Sequence, residues 1–165
     1  VECASAAQSG LARERYRDGV ADGTQGGATP AWEFADAWIL AAIGSGTRHD
    51  ELSGLLGAAD HYNHAIPTEA EVSRAIGRLT ASGLIQVDGT CWYPTAKGAA
   101  MVARAHGGGY TYVTSLLASM SGEPIVEGTW AVPPGALDRG YRKLTRPFAW
   151  VLPPRRKRYS THGRH

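Results

Sequence analysis

The sequence predicts an α+β fold that is mostly helical, with flexible ends, and three observations carry that expectation. Apolar residues recur at three- and four-residue spacing in several stretches. One short apolar run turns back on itself around Asp88-Gly89. Glycine, proline and polar residues dominate both termini. The 165 residues suit one domain of ordinary size plus tails, and 43% hydrophobic against 19% charged residues is enough to build a core.

Residues 1–30 cannot bury a face and read as a disordered arm, with Gly19 to Pro30 (GVADGTQGGATP) the clearest part. Trp32, Phe34, Ala35, Trp38, Ile39, Ala42 and Ile43 mark an amphipathic helix that Gly44-Ser45-Gly46 stops. A second helix opens near Asp50 as N-cap and carries Leu52, Leu55, Leu56, Ala59 and Tyr62 to about Asn63. Pro67 sets a boundary, and Thr68-Glu69-Ala70-Glu71 is a capping box. The third helix buries Val72, Ala75, Ile76 and Leu79 and ends at Ser82-Gly83. Leu84–Val87 and Thr90–Tyr93 read as a hairpin. A two-residue loop puts Cys91 opposite Gln86; the preferred three-residue loop (Asp88–Thr90) gathers Ile85, Val87, Cys91 and Tyr93 on one face. Thr95 caps a fourth helix, Ala96 to Ala105, which closes a domain spanning residues 31–106. Residues 107–146 form a helical extension: a fifth helix (Tyr112, Leu116, Leu117, Met120), a short strand at Ile125–Val126, and a sixth helix with Leu137, Tyr141 and Leu144 on one face. Residues 147–165 read as a basic disordered tail.

Helix, helix, helix, two-stranded hairpin, helix is the order of a winged helix-turn-helix domain. Leu79-Thr80-Ala81-Ser82-Gly83-Leu84-Ile85, then Asp88-Gly89, then Tyr93-Pro94-Thr95-Ala96-Lys97-Gly98 resembles a pattern of bacterial winged-helix regulators of the MarR and PadR type. The segment Ala58 to Thr68 (AADHYNHAIPT) resembles one found in uncharacterised actinobacterial proteins. The resemblance covers roughly residues 32–106 and implies that the third helix, at about residues 68–82, is a recognition helix for the major groove of double-stranded DNA. On that reading its exposed face offers Ser73, Arg74, Gly77 and Arg78. The two arginines project together at i, i+4, the glycine permits close backbone approach, and the free amides after Thr68 can hold a phosphate.

Charge is segregated beneath a net of only +2. Residues 1–138 hold 8 basic and 15 acidic side chains, whereas residues 139–165 hold 9 basic and none acidic. Within residues 32–106 the balance is −3, and the wing tip Asp88-Gly89-Thr90 has no base. Phosphate attraction is therefore expected from the tail, chiefly Arg155, Arg156, Lys157 and Arg158. The function expected is a DNA-binding transcriptional regulator, homodimeric through the helices after residue 106. The alternative is a winged-helix module whose acidic body binds protein without touching DNA.

Other chemistries find little support. Asp60, His61 and His64 lie close together, but a third metal ligand is not obvious. Gly107-Gly108-Gly109 lacks the Gly-Lys-Ser/Thr of a phosphate loop, and no serine sits in a nucleophile elbow. The expectation is a non-enzyme without cofactor or metal. Cys3 and Cys91 make no disulfide framework, and the longest apolar run, Ala37 to Ile43, falls far short of the roughly 20 residues that span a membrane. With no secretory layout at the start, a cytoplasmic setting is expected.

Overall fold

A computed structural model describes residues 30–46, 51–88 and 91–145. Among these, helices α1 (Phe34–Gly44), α2 (Leu52–Asn63) and α3 (Glu69–Ala81) precede an antiparallel ribbon of β1 (Ile85–Asp88) and β2 (Cys91–Pro94). Then come α4 (Ala96–Arg104), α5 (Tyr110–Met120) and α6 (Ala136–Thr145). The fold is α+β and mostly helical, in the order that the spacing predicts. The expected disordered arm and basic tail fall almost wholly outside the described residues, as does Asp50; Glu51 takes the N-cap position of α2.

The first helix is the centre of the molecule. Every residue from Asp36 to Ile43 is buried, because α2, α3, α4, α5 and β2 surround α1. A one-sided stripe was the expectation; a helix with apolar residues on all sides is instead enclosed on all sides. Trp32 lies ahead of the helix and not on it, with its indole Nε1 donating to the Glu123 carbonyl at 3.0 Å.

The third helix starts as its sequence dictates. The Thr68 amide donates to Glu71 Oε2 at 2.7 Å, and the Glu71 amide donates to Thr68 Oγ1 at 3.3 Å. Val72, Ala75, Ile76 and Leu79 are buried in the core that α1 organises.

The ribbon adopts neither of the expected registers. Val87 pairs with Trp92 and Asp88 with Cys91, which leaves residues 89 and 90 between the strands. Paired residues share a face, so this register puts Trp92 on the side of Ile85 and Val87, while Cys91 and Tyr93 point the other way. Trp92 accordingly joins the hydrophobic core. Behind the ribbon, the Thr95 hydroxyl donates to the Gly83 carbonyl at 2.7 Å and accepts from the Gly98 amide at 3.2 Å. A Cβ on Gly98 would stand 2.1 Å from the Leu84 carbonyl oxygen, which explains why the T-x-x-G spacing ends in glycine.

Both extension helices turn most of their apolar residues inward. Val113, Leu116 and Met120 of α5 are buried in the core around α1, and α6 packs on α2. On α6 the inward positions are Leu137, Gly140 and Leu144; Tyr141 is 48% exposed, contrary to the predicted stripe. Ile125–Val126 forms no strand either. Residues 124–133 have no regular secondary structure and run back along α3.

Candidate functional site

The face of α3 that the sequence offers to DNA is an internal contact of the protein. The 124–133 segment lies along it antiparallel, held at three points. The Val126 amide donates to Ser82 Oγ at 2.9 Å, and the Val132 amide donates to Ser73 Oγ at 3.1 Å. Between them the backbones of Gly77 and Gly128 meet: a Cβ on Gly77 would lie 2.4 Å from the Gly128 carbonyl oxygen, and one on Gly128 would lie 2.3 Å from that of Gly77. Close backbone approach at Gly77 was expected, but the approaching backbone is this chain's own.

Arg78 is the larger correction. Expected on an exposed face, it is 1% exposed. Its Nη1 donates to Asp36 Oδ2 at 2.8 Å, its Nη2 donates to the Ala31 carbonyl at 2.9 Å, and its Nε lies 3.3 Å from Glu127 Oε1. The guanidinium also sits 5.7 Å from the Trp32 ring centroid. A buried cation is tolerable only with paired charges, and this one recruits carboxylates from α1 and from the 124–133 segment; the Nε contact to Glu127 is an ion pair without a hydrogen bond. Burial is the main influence on the Asp36 carboxyl and pushes it above the ordinary carboxylate range; the Glu33 amide and Arg78 pull the other way.

Arg74 keeps a half-exposed side chain but is gripped at both ends of its fork by Glu33, with Nη2 2.9 Å from Oε1 and Nη1 3.2 Å from Oε2. Two arginines thus face three carboxylates, those of Glu33, Asp36 and Glu127, a local balance that repels phosphate. At the head of α3, the Glu71 carboxylate occupies the Thr68 amide and hydroxyl that would greet a phosphate. Of the predicted contacts, Thr68, Ser73, Arg74, Gly77 and Arg78 do come together around α3, yet each is engaged within the chain. Arg155, Arg156, Lys157 and Arg158 lie outside the described residues.

A second feature was not legible as a site. The start of α2, the Trp92 indole, residues 130–133 and α6 enclose a cleft of about 700 Å³, within the size range of ligand pockets. The Trp92 and Trp130 rings meet edge to face at 6.2 Å and line the cleft. Trp92 is 5% exposed, and its Nε1 has no hydrogen-bond partner among the described residues. Arg139 and Lys143, four apart on α6, both line the same space. Lys143 is paired with Glu51, whose carboxyl it holds below the usual carboxylate range. Arg139 has no carboxylate partner among the described residues and donates only to the Pro134 carbonyl, at 3.3 Å. The i, i+4 spacing of these two bases was the available signal.

Asp60, His61 and His64 lie at the end of α2, where His64 takes the left-handed C-cap position. Among the described residues no three His, Cys, Asp or Glu side chains gather as metal ligands, and no helix is long and apolar enough to cross a membrane. The fold and the covered α3 face define a mostly helical α+β protein whose third helix is internally engaged. Comparison with protein-family models, curated proteins and solved structures returns no match.

Proposed function

We propose that this chain is a winged-helix module that binds protein, and that α3 does not read base sequence. The observation that carries the reading is the state of the α3 face. Arg78 is buried among carboxylates, Gly77 is in backbone contact with Gly128, and Ser73 is bonded to Val132. A recognition helix needs three or four side chains free to reach base edges. Here the half-exposed Arg74 is the remaining base on that face, and it is already paired. The apolar faces of α5 and α6, expected to serve a homodimer, pack within the chain, so the reading does not require a second copy.

A second reading concerns the basic end. Three of its nine bases, Arg139, Arg142 and Lys143, stand exposed on α6, and the other six follow in residues 146–165. Such an end attracts duplex phosphate without reading sequence.

One experiment separates these readings from sequence-specific regulation. Selection from a random duplex pool is expected to return no consensus, and any residual duplex affinity should fall steeply with salt. Deleting residues 147–165 should lower that affinity equally for all sequences. An enriched consensus that Arg74→Ala abolishes would overturn the proposal.

A further inference from the structure

Size, apolarity and charge together select what the cleft beside α6 can hold. A volume of about 700 Å³ lies in the range of cavities that bury a whole small molecule. The lining is largely apolar: Leu52, Ala131, Pro133 and Ala136 border it, together with the Trp92 and Trp130 rings. Trp92 is 5% exposed, so the part-buried Trp130 supplies most of the accessible ring. Aromatic surface of this kind favours a flat, apolar body that can lie against its face or edge.

Three ionisable side chains line the cleft, those of Glu51, Arg139 and Lys143. Glu51 and Lys143 are paired with each other, which leaves one cation in excess. The Arg139 Nη1 donates to the Pro134 carbonyl at 3.3 Å and lies 3.1 Å from where a Cβ on Gly135 would stand. The guanidinium is thereby held over the Pro134-Gly135 turn, next to the lining residues Pro133 and Ala136. Its Nε and Nη2 are bonded to nothing among the described residues. A planar cation with donors to spare suits one carboxylate, which it can grip with two parallel N–H bonds. A phosphate monoester carries about 1.5–2 negative charges at neutral pH, more than one excess cation offsets beside Glu51.

We infer that the cleft binds a small organic acid, with an apolar ring system against Trp130 and a single carboxylate on Arg139. Residues 130–143 supply most of the lining and lie outside the stretch 32–106 that resembles winged-helix regulators, so the site belongs to this chain's own extension. The assignment goes beyond the protein-binding reading and does not depend on it.

The test uses the full chain with three probes: 4-biphenylacetate, its uncharged amide, and acetate. Calorimetry reads affinity, and the backbone amide resonances of Ser53 and Gly140, both in the lining, report where the ligand sits. The acid should bind, shift those two resonances and exceed the amide by about tenfold or more, as expected for one charge-assisted pair. Acetate, which lacks the apolar body, should show no measurable binding. Arg139→Gln, at an exposed position, should bring the acid down to the affinity of the amide. Ala131→Phe, also at an exposed position, should fill part of the cleft and weaken acid and amide alike. Both variants should keep the circular dichroism of the parent chain. Equal binding of acid and amide, or no loss in Arg139→Gln, overturns the carboxylate assignment. Binding that leaves Ser53 and Gly140 unshifted overturns the cleft as the site, as does no binding by any probe. Failure here leaves the protein-binding reading standing, and a duplex consensus dependent on Arg74 defeats that reading while leaving the cleft assignment untouched.

Discussion

Arg78→Met is expected to destabilise the protein by about 3–5 kcal/mol at neutral pH, the usual consequence of removing one partner from a buried ion pair. Methionine conserves much of the volume, so lost packing is a minor part of the effect. The larger part is that the Asp36 carboxyl, 1% exposed, loses the cation that faces it. The pH dependence follows from the same carboxyl. Asp36 already has a folded pKa raised by burial, so its contribution to stability is complete below the unfolded value and is lost as pH rises through the folded one. Removing Arg78 takes away an influence that lowers that pKa, raising it further. The deficit of Arg78→Met should therefore shrink as pH falls through the carboxylate range, where protonation neutralises Asp36. Adding Asp36→Asn should restore most of the stability at neutral pH, since Asn can still accept from the Glu33 amide where Asp36 Oδ2 now does at 2.9 Å. Urea unfolding of the single and double variants across pH measures all three expectations. A solvated Arg78 on a DNA-facing surface would instead change stability by no more than about 0.5 kcal/mol on substitution.

Gly77→Ala is expected to destabilise by about 1–3 kcal/mol, the range for overpacking a fitted contact. The sign is the informative part. In an open helix face, alanine is better than glycine by about 0.8–1.0 kcal/mol, so an exposed recognition helix would gain stability from this change. Here the new methyl meets the Gly128 carbonyl oxygen at 2.4 Å, and backbone cannot yield as a flexible side-chain tip can. Relief requires the 124–133 segment to lift, which would also loosen the Val126 and Val132 amides from Ser82 and Ser73. Faster hydrogen exchange at those two amides, alongside a lower denaturation midpoint, is the expected pair of observations.

Much of the fold could be read from local chemistry. The capping box at Thr68 and Glu71 is contained within four residues, and the helix spacings report which side chains turn inward. What escaped were contacts between distant parts of the chain. Arg78 meets Asp36 across 42 positions and Glu127 across 49, and neither carboxylate is marked by its neighbours in sequence. A hint was present: Arg78 stands three residues after Ala75 and two after Ile76, at the margin of the buried stripe of α3. The ribbon register differed because one residue of loop length decides which set of side chains shares a face, and the shorter loop sets the Trp92 indole beside Ile85 and Val87 while Cys91 is buried on the opposite side. The cleft was invisible for a related reason. Nothing near Trp92 or Trp130 in sequence marks the other, and only the fold sets their rings edge to face beside the bases of α6.

The contact between α3 and the returning segment can be observed in solution without any substitution. The Trp130 amide nitrogen lies 3.2 Å from the position a Gly77 Cβ would take, so the α-protons of Gly77 and the amide proton of Trp130 are close enough for a strong nuclear Overhauser effect. A strong cross-peak between them, with slow exchange of the Val132 amide, is the predicted result. Absence of that cross-peak in a folded, fully assigned spectrum, with the Val132 amide exchanging as fast as an open loop, would contradict a covered α3 and return the helix to solvent.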